Sequence, residues 1–269
     1  RLYSIRKTLD AMAISGFNLA ILEVGGSFNS ANHKSIRRMP WQEKDLSYLV
    51  EYAGKRGLTP IPGMNTFGHV ARAADICPIR NASGEVIGMD VRKDEFFARY
   101  ATVLDELLRI FNNPPYFHIG CDENEELFKL IAPDRQTGSR IFADTINRIS
   151  KYLKSKNCRT VIWHDMMKSD RDELTADAVN LLSRDVIIDC WLYDERQSYP
   201  EADYFQGKGF ETWVTPWDLV GNIEAFIKYA GQKNVKGVIG STWNGPHKET
   251  TAYLLTAEFS WNKDIQVTY

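Results

Sequence analysis

The chain has 269 residues, 43% hydrophobic and 25% charged, with a formal net charge of −2 and a pI near 6.3. That is ordinary globular chemistry with ample core material, at a length that suits one (β/α)8 barrel. The balance lacks the basic excess by which a nucleic acid or an anionic membrane surface is held, and no apolar run approaches the roughly 18 residues needed to span a bilayer.

In chain order, Leu2, Ile5, Leu9, Met12 and Ala13 recur at helical spacing over residues 1–15, and Gly16 supplies the stop. Phe17–Val24 is a short apolar run that reads as a buried strand, closed by Gly25-Gly26. A helix over Glu43–Arg56 ends at Gly57, and Leu58–Met64 is the next strand. A third helix, Lys93–Phe111, is broken by Asn112-Asn113-Pro114-Pro115 ahead of strand Tyr116–Cys121. Helix Ser139–Lys156 leads to strand Arg159–Trp163. Strands Val186–Leu192 and Phe210–Pro216, helix Asn222–Gln232, strand Val235–Trp243 and helix Thr250–Phe259 follow.

Helices alternating with apolar β-runs imply a parallel sheet covered on both faces. Polar and aromatic residues gather where the strands end: Glu23, Asn65 to His69, Asp122-Glu123, His164-Asp165, Trp191 to Asp194, Trp217-Asp218 and Trp243-Asn244. A barrel brings all such ends to one face, whereas an open doubly wound sheet gathers its site at one switch point. The expected fold is therefore an α/β, (β/α)8 TIM-type barrel, with residues 1–269 forming one catalytic domain. Seven strands are legible and a barrel needs eight, so the first strand is expected upstream of Arg1. Cys77, Cys121, Cys158 and Cys190 show no C-x-x-C spacing and read as reduced core thiols, which leans towards a cytoplasmic compartment.

Asp122-Glu123 carries the sharpest chemical signal. Two carboxylates at a strand exit can reach one cavity and titrate apart, giving the proton donor and the anion that glycoside cleavage needs. An acidic helix start is the alternative for the pair taken alone. Trp163, Trp191, Tyr193, Trp213, Trp217 and Trp243 fall at or near strand ends, where indole faces suit the C–H faces of sugar rings. Apolar enclosure by these rings would suit Glu123 to act as an acid. His118, inside its strand, reads as structural, while His69 at a strand exit is a site candidate.

Phe117-His118-Ile119-Gly120-Cys121-Asp122-Glu123 matches the H-x-G-[GC]-D-E stretch of glycoside hydrolase family 20, the β-N-acetylhexosaminidases, and the chain resembles the hexosaminidase D branch more closely. Pro60-Ile-Pro-Gly-Met-Asn-Thr-Phe-Gly-His69 resembles the family's third-strand segment, and Val161-Ile-Trp163-His-Asp165-Met its fifth-strand W-D-D-M. Cys190-Trp191-Leu-Tyr193 and Gly237-Val-Ile-Gly-Ser-Thr-Trp243 fall where strands 6 and 8 are expected.

The resemblance implies retaining, substrate-assisted hydrolysis of N-acetylhexosamine-containing glycans, with Glu123 as acid and base and Asp122 orienting the acetamide. Trp163, Trp191 and Trp243 would wall the acetamide pocket, Tyr193 would donate to its carbonyl, and His69 and Asp165 would support or contact the sugar. Neither metal nor cofactor is expected on this reading, and a homodimer is compatible with it. Departures are the strand-1 arginine, which is not in this chain, the ending Leu22-Glu23-Val24-Gly25-Gly26, and Asn244-Gly-Pro-His247 in place of W-x-E. Two alternatives stay open: a metal-dependent barrel using Glu23, His69, Asp122, His164 and Asp165 as ligands, and a non-catalytic carbohydrate-binding barrel.

Overall fold

A computed structural model of the chain describes residues 2–24, 28–29, 41–69, 76–168, 173–245 and 249–262. Gly25-Gly26, Pro246-His247 and any strand before Arg1 lie outside them. Among the described residues seven parallel strands form one sheet: β1 (Leu19–Glu23), β2 (Thr59–Thr66), β3 (Tyr116–Gly120), β4 (Arg159–Trp163), β5 (Ile187–Trp191), β6 (Thr212–Thr215) and β7 (Gly237–Val238). Their order in the sheet is their order in the chain. There is no switch point, so the doubly wound alternative falls.

Strand alternation sends neighbouring side chains to opposite faces, with odd-numbered ones inward on β1, β4, β5 and β6 and even-numbered ones inward on β3. Ala20, Phe117, Ile119, Ile162, Ile188, Cys190 and Val214 join the main core beneath the helices. Leu19, Tyr116, Val161, Ile187, Trp213 and Ile239 instead meet in a separate cluster. Side chains from β1, β3, β4, β5, β6 and the residue after β7 can share one cluster only if the sheet curls on itself, so this is a (β/α)-barrel architecture.

The helices are α1 (Leu2–Ile14), α2 (Glu43–Gly54), α3 (Asp94–Ile110), α4 (Glu125–Ile131), α5 (Arg135–Lys154), α6 (Pro200–Gly207), α7 (Val220–Gln232) and α8 (Thr250–Trp261). Helix α5 starts at Arg135, four residues before the sequence reading placed it, because Asp134 caps it by accepting the Thr137 N–H at 2.7 Å. Helices α4 and α6 and the antiparallel hairpin Pro78–Arg80/Val86–Met89 were not expected. The hairpin matters to the site, since the Met89 N–H donates to the Phe67 carbonyl at the exit of β2. All four cysteines are buried and free, as read from their spacing.

Candidate active site

The exits of β2 and β3 carry four non-glycine residues in the left-handed region: Phe67 (φ 73°), His69 (φ 50°), Cys121 (φ 78°) and Glu123 (φ 48°). Each is disfavoured by about 1–2 kcal/mol, and such conformations persist only where packing over-determines them. Phe67 is fully buried and stacks on Phe142 with ring centroids 5.1 Å apart. Gly120, at φ 66°, has no room for a side chain, because a Cβ there would lie 2.1 Å from Asn65 Oδ1. The chain thus leaves β3 by a sharp left-handed turn, and helix α4 begins only at Glu125. Asp122-Glu123 is therefore a strand-exit pair, and the acidic first turn belongs to Glu125 and Glu126.

This turn brings the pair to His69. His69 Nε2 lies 3.1 Å from Glu123 Oε2 and 3.4 Å from Asp122 Oδ2. The bond to Asp122 and the two negative charges raise the imidazole to about 9, against an opposing effect of burial. Asp122 Oδ1 is buried and receives no hydrogen bond among the described residues, so it is an acceptor in want of a donor. The Glu123 side chain is 56% exposed. At that exposure the aromatic rings do not enclose it, and its close charged neighbour is His69.

Asp165 follows β4 and is 2% exposed. Its Oδ2 accepts the Glu123 backbone N–H at 2.9 Å and its Oδ1 accepts the Trp191 indole N–H at 3.0 Å. Burial pushes its carboxyl up to about 7, with the charge of Asp122 adding to the effect. Met166 braces the same segment, its sulfur accepting the Asn124 N–H at 3.2 Å. Asp165 thus holds the acid segment and one indole.

The aromatic residues form a chain of contacts. Trp163 packs on Trp243 at 5.9 Å, the Trp243 indole N–H donates to the Tyr193 hydroxyl at 2.8 Å, and Tyr193 lies 5.1 Å from both Trp191 and Trp217. Because Tyr193 accepts from Trp243, its own O–H remains available to donate elsewhere. Burial raises the Tyr193 hydroxyl, which keeps it protonated. A cavity of about 220 Å³ opens among Glu23, Asn65, His118, Trp163, Ser241 and Trp243. Asp122, Glu123, Trp191 and Tyr193 are not among its lining residues. Trp213 is a correction: it sits in the inner barrel cluster, edge-on to Tyr116 at 5.0 Å, and faces the cavity at the strand starts beside Thr59 and Pro115, at the opposite end from the strand exits.

Sequence reasoning missed Glu249. It is buried, accepts the Trp217 indole N–H at 2.7 Å and the Asn244 N–H at 3.1 Å, and so ties the exits of β6 and β7 together. A lone glutamate at the start of α8 carries no spacing signal that would single it out. Among the described residues one set, His69, Asp122 and Glu123, has ligand atoms close enough to hold a cation, all within 4.8 Å. Glu23, His164 and Asp165 do not join it, so the five-residue metal set read from the sequence is not assembled.

The curled sheet, the acid pair at a strand exit and the tryptophan-lined face define a carbohydrate-active type of barrel. Residues 18–220 match the profile of "Glycosyl hydrolase family 20, catalytic domain", and the chain belongs to that family. It is 25% identical over 205 residues to lacto-N-biosidase of Bifidobacterium bifidum, covering 70% of this chain and 18% of that protein. It is 20% identical over 188 residues to hexosaminidase D of Bos taurus, covering 65% of this chain and 54% of that protein. The chain therefore spans less than two thirds of these curated relatives. In fold it is similar to Flavobacterium johnsoniae chitobiase, with a TM-score of 0.72 at 17% identity over 96% of this chain and 45% of that one. The exo-β-N-acetylglucosaminidase of Vibrio harveyi gives 0.70 at 13% identity, over 99% and 53%. No helix among the described residues is long and apolar enough to cross a membrane.

Proposed function

We propose that this chain is the catalytic domain of a β-N-acetylhexosaminidase, removing terminal N-acetylhexosamine from glycans with retention of configuration. The observation that carries the reading is the pair itself. Asp122 has one oxygen beside His69 and the other buried without a donor, while the adjacent Glu123 reaches outward. One carboxylate is thus built to receive an N–H, and the other to meet an exchanging proton. The names of the relatives support the substrate class, and family 20 is an exception to the scheme with two enzyme carboxylates.

In the first step Glu123 gives its proton to the glycosidic oxygen as the bond to the anomeric carbon breaks. The substrate's own acetamide carbonyl oxygen attacks that carbon, closing an oxazolinium ring. Asp122 Oδ1 accepts the acetamide N–H, orients the amide and offsets the positive charge that develops on it. In the second step Glu123, now a carboxylate, takes a proton from water as the water opens the ring. Trp163, Trp191 and Trp243 pack on the sugar and its acetamide, and the free Tyr193 O–H donates to the acetamide oxygen. His69 holds the two carboxylates in place, and Asp165 anchors Glu123 from behind.

The test is a panel of chromogenic aryl N-acetyl-glucosaminides and -galactosaminides, with a thiazoline that mimics the oxazolinium as inhibitor. Turnover blocked competitively by the thiazoline is expected. Turnover insensitive to it, or loss of activity on chelation with stoichiometric metal in the protein, would overturn the assignment.

A further inference from the structure

Behind the acid pair lies a buried polar column that the reaction above does not use. His118, 4% exposed, points into the barrel from the middle of β3 and packs on Trp163 at 4.3 Å. Its Nδ1 accepts the Gly120 N–H at 3.1 Å, so Nδ1 carries the lone pair and Nε2 is left to carry the proton. Nε2 faces Asp189 Oδ2 of β5 at 3.8 Å, and Asp189 Oδ1 accepts the Thr215 hydroxyl of β6 at 2.7 Å. Asp189 and Thr215 are fully buried.

This column meets the acid pair at one atom. The Gly120 N–H turns back onto a side chain of its own strand just where the left-handed run begins, with φ 66° at Gly120 and 78° at Cys121. Asn65 closes the other side of Gly120, since its Oδ1 lies where a Cβ would project. Gly120 is therefore held between His118 and Asn65, and three residues later Asp165 holds the Glu123 N–H. We infer that His118 is a positioning residue for Asp122 and Glu123: its Nδ1 lone pair fixes the exit of β3, and the Gly120 N–H that it accepts keeps the imidazole in the Nε2–H form, with Asp189, held by Thr215, 3.8 Å from Nε2. The catalytic sense of this role rests on the hydrolase reading given above.

Three variants separate the role from simple core packing. His118→Asn places an amide oxygen where Nδ1 stands, His118→Gln places its polar atoms near Nε2, and His118→Leu keeps bulk alone. The readouts are kcat and KM on aryl N-acetylhexosaminides of graded leaving-group acidity, together with the 15N tautomer signature of His118 in the wild-type protein. The wild type should show Nε2–H with an unprotonated Nδ1. His118→Asn should stay within about tenfold of wild type, while His118→Gln and His118→Leu lose about 100-fold or more in kcat on poor leaving groups, and less on good ones, at similar KM.

An Nδ1–H tautomer would overturn the inference even if every variant failed to fold. Folded His118→Asn no better than His118→Leu, or a loss equal across leaving groups, would overturn it while wild-type turnover upheld the hydrolase reading. A wild type without turnover would sink that reading, and with it the catalytic sense of the role.

Discussion

Replacing Asp165 by asparagine should change the pH dependence of stability in a direction that only a buried, raised carboxyl produces. Asp165 is 2% exposed and is pushed up to about 7 from an ordinary 3.8. Between those values the folded chain holds the proton and the unfolded chain does not, so stability falls as pH rises through that window. At about 1.4 kcal/mol per pH unit over about three units, ionising Asp165 costs the fold on the order of 4 kcal/mol by pH 8. Asparagine does not titrate, so Asp165→Asn should gain about 4 kcal/mol relative to wild type between pH 4 and pH 8.

Set against this, asparagine has one oxygen for two donors, the Glu123 and Trp191 N–H groups. Losing one such bond to a charged acceptor costs about 1.5–3 kcal/mol, which leaves the variant about 1–2.5 kcal/mol more stable than wild type at pH 8. Activity should move the other way, falling about 10- to 100-fold as Glu123 loses its anchor. Urea denaturation at half-unit steps from pH 4.5 to 8 measures the first effect. Stability curves that run parallel for the two proteins would refute the reasoning.

Gly120→Ala should destabilise the protein by about 2–4 kcal/mol, from left-handed strain together with overpacking against Asn65; thermal and chemical denaturation check this. Asp134→Ala removes the cap of α5 far from the acid pair, so it should cost about 1 kcal/mol in denaturation and leave kcat unchanged. Asp122→Asn should lower kcat about 100- to 1,000-fold on every leaving group, because the acetamide charge develops whatever departs; steady-state kinetics on the aryl panel checks it.

The strands were legible because each is an apolar run bounded by glycine, proline or asparagine. The inward–outward alternation along each strand then follows from strand geometry alone. What escaped was either short or tertiary. Helix α4 has seven residues, and its start merges with the acidic run after Cys121. The strands of the hairpin at 78–89 have three and four residues, too short for a clean alternation. The last strand pairs over Gly237–Val238 only, although the apolar run is longer, and one further hydrogen bond, from the Ile239 N–H to the Val214 carbonyl, continues it.

In the site, Asp122-Glu123, His69 and Asp165 were readable as candidates from strand ends. Their division of labour was not. That His69 touches both carboxylates depends on two left-handed exits meeting, and that Asp165 serves the backbone of Glu123 depends on its burial. Trp213 misled because a tryptophan in a strand looks the same from sequence whether it lies at the lower end of the barrel or at its mouth.

The most direct test of the central claim is the leaving-group dependence of Glu123→Gln. If Glu123 is the proton donor, the variant should retain turnover on activated aryl glycosides that leave without help. On a natural disaccharide it should lose about 100- to 10,000-fold, the usual contribution of a general acid. Wild-type-like hydrolysis of the disaccharide by Glu123→Gln would contradict the account, whatever the fate of the other variants.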